Sequence, residues 1–591
     1  MADDGRLAYA PSAASERELL PDEQVQHVLN RLGFGARPGD AEKIRAMGID
    51  RWIQLQLRPA AIGDDATDRL IGRYSTLTAS TSDMMQTYQA MQQARNQQQR
   101  MQVPAGDTLN ARRDSRLALA AVDPKMAAAM QQNQRVLPEL QAATLARAVT
   151  SERQLFEVMV NFWENHFSVF ANKGPQERLF LTAYDRDVIR PRAMGKFRDL
   201  LGAVAQSPAM LFYLDNWQSQ ADSMHPTLAR APTFGRGGRG RGMAAPTALR
   251  QRRGLNENYA RELMELHTMG VDGGYTQHDV IEVARALTGW TIAMGQGGGF
   301  IFRPEFHDAG EKIVLGHRLA AGRGEEDGAN VLDIVAYHPS TATFITTKLA
   351  RHFISDEPPK ALIDRCAAVF TQTDGDIRQT VGCVVTSAEF FSRAAYRSKV
   401  KTPFEVVASA LRAVQAEPDA TPRSAQAVAQ LGQPIFGHAT PDGWPDRGDA
   451  WMNTGAILGR INFGLFVASG RVPGVVAGRV PELEQLRSAP RESQVDGVVK
   501  LFFGGQISPD TRQVLLAGAN PLLPTLARDS AARPGMMDTG GGTPPAAFRQ
   551  LGGAGGGRGQ GQIPRPNQQI TLQGLAQVIG LALGAPEFQR R

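Results

Sequence analysis

The chain has 591 residues, 42% of them hydrophobic and 21% charged, with a formal net charge of +6. This composition suits a globular protein with a large buried core, and the charge excess is too small to demand nucleic acid or an anionic membrane as partner. No stretch approaches the roughly 18 consecutive apolar residues of a membrane span.

Residues 1–20 are polar and mixed in charge. They lack a basic segment followed by an apolar one, so they read as a flexible tail and not as a secretory signal. As written this predicts a cytoplasmic protein; a chain trimmed of its signal, periplasmic or exported, would read the same way. Helical spacing then predicts helices at about 22–31 and 40–57, and a Gln- and Met-rich helix at 83–102.

Residues 151–167, SERQLFEVMVNFWENHF, predict a helix opened by a capping box of Ser151 and Gln154. At about 100° per residue, Leu155, Val158, Met159, Phe162 and Trp163 form an apolar arc with His166 at its centre. Glu157, Asn161 and Glu164 take the opposite, outward side.

Residues 223–256 hold seven arginines and no acid, including GRGGRGRG at 235–242. Glycine at that density forbids stable helix or strand, so 228–254 is expected to be a solvated insertion loop rather than a nucleic-acid contact. It feeds into 255–270, LNENYARELMELHTMG, the richest cluster of ionisable groups. There Tyr259, Ala260, Leu263, Met264 and Leu266 share an apolar arc that contains His267. Asn258, Glu262 and Glu265 face the other way, with Glu257 and Arg261 at the edge. Arg261 lies four residues from both Glu257 and Glu265 and is expected to pair with either. Asn256, Glu257, Asn258, Arg261 and Glu262 are binding candidates. Two inward histidines on two long helices suggest a shared buried site, because a buried imidazole needs partners for both nitrogens and resists charge.

Thr276 with Asp279 caps a further helix. Residues 300–302 and 312–315 are expected to form one short hairpin around FHDAGEK. His307 and Asp308, on that loop, are candidates for acid–base chemistry, with Trp290 and Lys312 as binding neighbours. His338 and Pro339 begin another helix, Asp376 reads as an N-cap, and Thr402 with Glu405 forms a capping box. Cys366 and Cys383 lie in apolar helical segments and are expected to be buried thiols, with no disulfide framework or cysteine metal site. Residues 441–445 form a rigid aromatic loop. Residues 531–568 are Gly- and Pro-rich and are expected to be a disordered linker. A terminal helix in 569–591 is expected to pack back on the body, 21–530.

No P-loop, G-x-S-x-G or H-E-x-x-H motif is present. The chain is therefore expected to be mainly α, with two functional readings. One is an enzyme, a hydrolase with His166, His267, His307 and Asp308 around a buried cleft, where His166, His267 and His307 could take a divalent metal. The other is a helical scaffold or partner-binding protein whose histidines belong to the core.

Several ordered motifs carry a family resemblance: HVLNRLGFGARPGD at 27–40, NFWENHFSVF at 161–170, NENYARELMELHTMGVDGGYTQHDV at 256–280, ARALTGW, FHDAGEK, YHPSTATFITTKLARHF, KTPFEVVASALRA, PDGWPD, and the terminal PEFQRR. On these the chain resembles a bacterial family named only as domain of unknown function 1800. The family commonly has a histidine where this chain has Glu164. The resemblance implies a helical protein, often exported and often encoded beside a sulfatase-like partner, with no established reaction.

Overall fold

Apolar residues at helical spacing form helices throughout the described residues, and turns join them. The computed structural model describes residues 7–101, 124–222, 225–229, 254–518 and 572–591. The mainly α expectation holds: among the described residues the only ladders are three two-stranded antiparallel sheets. No helix among them is long and apolar enough to cross a membrane. The expected linker, 531–568, and most of the arginine-rich loop, 228–254, lie outside the described residues.

The capping chemistry largely forms as read. Thr276 and Asp279, and Thr402 and Glu405, close reciprocal capping boxes. Asp376 accepts from the Gln379 amide, and His338 accepts from the Ser340 amide. Ser151 does not cap. The helix runs Gln154–His166, and Ser151 Oγ instead donates to Asp64 at 2.6 Å. Gln154 accepts from the Phe34 amide at 2.9 Å, so this helix is tied to the loop ending the first helix, Pro21–Arg31.

Helix 154–166 is buried along most of its length. Trp163 is fully buried and donates from its indole to the Ala193 carbonyl at 2.9 Å. Glu157 and Glu164 are buried too, which corrects their expected outward placement. Elements pack on both sides of the helix, so its polar edge meets Arg190 and not water.

The second marked helix, Glu257–Met264, ends in a π turn, Glu265–Met269. Thr268 Oγ1 donates five residues back to the Leu263 carbonyl and stabilises that wider turn. Arg261 does not pair with the helix carboxylates. It donates to Gln277, which in turn donates to Glu257.

The expected 300–315 hairpin is replaced by two. Trp290–Ile292 pairs with Phe300–Phe302, and Lys312–Val314 pairs with His317–Leu319. Each strand finds its nearest neighbour through a short turn, which leaves FHDAG as the connection between hairpins. Ahead of the first helix, two main-chain amides reach the body. Ser12 donates to the Thr386 carbonyl and Leu19 to that of Phe391, and Leu19 is buried.

Cys366 and Cys383 form a disulfide, which corrects their reading as free thiols. The turn between helices Lys360–Gln372 and Ile377–Val385 lays the two helices side by side. Residues 17 apart in sequence then face each other, which apolar flanks could not reveal.

Helix Gly574–Gly584 packs on helix Thr454–Ala468. The crossing is close because glycines meet there: a Cβ on Gly464 would sit 2.7 Å from the Gly580 carbonyl oxygen. Past it, the chain enters the body. Arg591 exchanges main-chain hydrogen bonds with Lys399, and its guanidinium reaches Glu405 at 3.1 Å.

Candidate functional site

The two inward histidines meet. His166 and His267 are each 2% exposed, and His166 Nε2 donates to the His267 carbonyl oxygen at 3.1 Å. Phe167 packs edge-on against both rings. Burial, and secondarily Lys348, disfavours the imidazolium of both and pulls His267 down to about 3. His166 Nδ1 and His267 Nε2 have no hydrogen-bond partner among the described residues.

His307 and Asp308 belong to a different cluster. Both are fully buried. His307 Nδ1 donates to the Thr288 carbonyl at 2.8 Å, and its Nε2 faces Asp327 at 3.4 Å. Asp308 accepts from Arg285 Nε at 2.7 Å and from the Gly310 amide at 2.8 Å. Lys312 donates to Asp327 at 2.8 Å and to the Asp308 carbonyl at 2.6 Å. Arg285 also holds Glu282, and Arg323 holds Asp327. Three cations thus meet three carboxylates. Burial raises the cost of ionising Asp308, but the Arg285 and Gly310 hydrogen bonds with the charges of Arg285 and Lys312 together outweigh it and hold the carboxyl below its usual range. This closed network ties FHDAG to the helices on either side.

Among the described residues, no group of three or more His, Cys, Asp or Glu side chains is gathered to hold a metal ion. Of the binding candidates, Asn256 caps its helix, accepting from the Tyr259 amide and donating to the Leu214 carbonyl. Glu257 and Asn258 are exposed. Burial and the nearby Glu265 and Asp442 raise the Glu262 carboxyl. Trp290 is fully buried against Phe300.

A cavity of about 70 Å³ opens instead between the end of helix 154–166, the start of helix Pro403–Ala413 and the 433–451 loop. Asn165 fixes the loop over it, donating to the Trp444 carbonyl at 2.9 Å and accepting from the Trp444 amide at 2.7 Å. Gly443 permits that approach: at φ 75°, an added Cβ would lie 2.3 Å from the Asn165 carbonyl oxygen. Trp444 packs between His438 and Trp451, and Phe404 and Phe436 complete an aromatic wall.

Three carboxyl groups border this cavity, Glu164, Glu405 and Asp446. Glu405 accepts from Arg591 and from the Thr402 amide. Glu164 stands in a network where Arg190 pairs with Glu157 and Arg147 with Asp185. Three carboxyls therefore face two guanidiniums. Burial, then the neighbouring Asp185, raises Glu164 well above the usual range and favours its protonated form. Sequence reasoning had turned Glu164 to solvent. One signal was available: no lysine or arginine stands three or four residues away to pair with it.

The molecule is thus a helical protein with a loop-covered aromatic cleft. The chain belongs to the family described as Protein of unknown function (DUF1800), whose model matches residues 27–590. No curated protein and no solved structure matches it.

Proposed function

We propose that this protein is a hydrolase using general acid–base catalysis in the cleft beneath Trp444. The observation that carries the reading is a buried Glu164, its carboxyl raised by burial and Asp185, bordering the same cavity as Glu405 and an aromatic wall. A carboxyl kept neutral by its surroundings can give its proton to a leaving oxygen, and a fixed carboxylate can direct the attacking water. Aromatic faces suit a ring-bearing substrate such as a glycan or an aryl ester. In this reading His166 and His267 hold two helices together, and His307 and Asp308 brace the wall of the body. The disulfide supports an oxidising, extracytoplasmic compartment.

The scaffold reading has its own support: His166, His267, His307 and Asp308 are all 2% exposed or less, as core members would be. Turnover of chromogenic glycosides and aryl esters by wild type and Glu164→Gln separates the two readings. Loss of about 10²–10⁴ in kcat with the fold intact supports the hydrolase. Undiminished turnover in the variant refutes Glu164 as the acid, and no turnover of any substrate favours the scaffold.

A further inference from the structure

A second cavity lies on the far side of Arg591, lined by Arg397, Lys401, Arg590 and Arg591 with a single carboxylate, Glu587, in its wall. Glu587 is already engaged, accepting from the Ser508 amide and from Thr511 Oγ1, each at 2.9 Å. Lys401 is 3% exposed. Its Nζ lies 4.3 Å from the centre of the Phe588 ring.

The surroundings are as one-sided. Arg31, Lys399, Lys401, Arg460 and Arg591 are all at most 5% exposed. Of the groups acting on them, the carboxylates are Glu405, Asp356 and Asp446. Glu405 holds Arg591, and Asp356 holds Lys399. Arg31 caps the Phe353 and Ala395 carbonyls, and Arg460 meets the Gln589 side-chain oxygen. Five buried cations against three carboxylates leave two uncompensated, and buried charge without a counter-charge is costly. Two guanidinium nitrogens, Arg591 Nε and Arg460 Nη2, have no partner among the described residues.

We infer that this cavity binds a small oxyanion, a phosphate, sulfate or carboxylate group, between Lys401 and Arg591, with Arg397 and Arg590 at its mouth. Guanidinium and ammonium donors in one pocket suit such a group, because charge-assisted hydrogen bonds are the strong ones. Burial pulls Lys401 down to about 7 despite Glu405, and an anion beside it would restore its charge. The site does not depend on the hydrolase reading. It meets the Glu164 cleft only through Arg591, which borders both cavities.

The test is calorimetric titration and thermal melting of the full chain with inorganic phosphate, sulfate or chloride at matched ionic strength. Saturable binding of phosphate or sulfate over chloride is expected. Lys401→Met should weaken it by at least about tenfold, and Lys401→Arg should keep it. If Lys401→Met does not fold, Arg590→Gln, an exposed change, should weaken binding severalfold. Phenyl phosphate separates sources: binding comparable to phosphate means the pocket accepts the end of a larger molecule, and rejection means a free ion. Equal stabilisation by all three salts, or phosphate binding unchanged in both Lys401→Met and Arg590→Gln, overturns the inference.

Discussion

His166 Nε2 donates to the main-chain oxygen of His267, which pins the end of one long helix to the π turn that ends another. The bond needs a proton on Nε2 and none on Nδ1, because burial makes the imidazolium costly. The pH consequence has a definite sign. The unfolded chain takes up protons near 6.5, and folded His267 does so only near 3. The stability held by neutral His267 is complete above pH 6.5 and is lost as pH falls toward 3, by up to about 1.4 kcal/mol per pH unit. Urea unfolding from pH 7 to 4.5 should show a steep loss in wild type and a shallower one in His267→Leu. Equal slopes would mean that the ring is not buried neutral.

Glu164 should behave in the opposite sense. Its unfolded carboxyl ionises near 4.5, and the folded one keeps its proton to higher pH. Stability is therefore full below 4.5 and declines as pH rises through the folded value. Glu164→Gln imitates the neutral acid, so it should be at least as stable as wild type at pH 8 and flatter across pH 5–8. A variant that melts well below wild type at pH 8 would show that the buried group is ionised.

The Arg285–Asp308 pair makes a stability prediction. Asp308→Ala leaves Arg285 and Lys312 short of a buried counter-charge, at an expected cost of about 3–5 kcal/mol. Denaturant titration measures this directly. A variant within about 1 kcal/mol of wild type that has lost all activity would return Asp308 to the chemistry.

How far the sequence was legible depends on what each feature rests on. Helices and their caps depend on neighbours a few residues away, so Thr276 with Asp279 and Thr402 with Glu405 could be read off. The inward faces of His166 and His267 followed from angular spacing, and the rings do lie 6.4 Å apart. Partners far along the chain left no such mark. Glu164 meets Asp185 and Arg190, Arg591 meets Glu405, and Cys366 meets Cys383 only after folding. A polar edge on a helix looks the same in sequence whether water or a buried arginine faces it, which is why the Glu164 cleft was missed.

The disulfide closes a loop with a sequence separation of 17, which predicts a stabilisation of about 3 kcal/mol. The double variant Cys366→Ser, Cys383→Ser should melt lower by that margin. Reductant should bring wild type down to the variant and leave the variant unmoved. If reductant shifts neither protein, the bridge is absent in solution.

The Gly464–Gly580 crossing should control more than its own helix. On Gly580 an added Cβ would lie 2.9 Å from the Leu465 Cα, so Gly580→Val forces the helices apart, at about 1–3 kcal/mol. The same helix carries residues 587–591 into the body, where the Lys401 amide donates to the Gln589 carbonyl and the Lys399 amide to that of Arg591. Lifting the helix should therefore release those two amides, which lie far along the chain from residue 580. Hydrogen exchange at 399–401 should speed up in Gly580→Val, and more than at 376–385, which the terminal segment does not pair with. Unchanged protection at 399–401 would mean that residues 587–591 hold their place independently of the helix that delivers them.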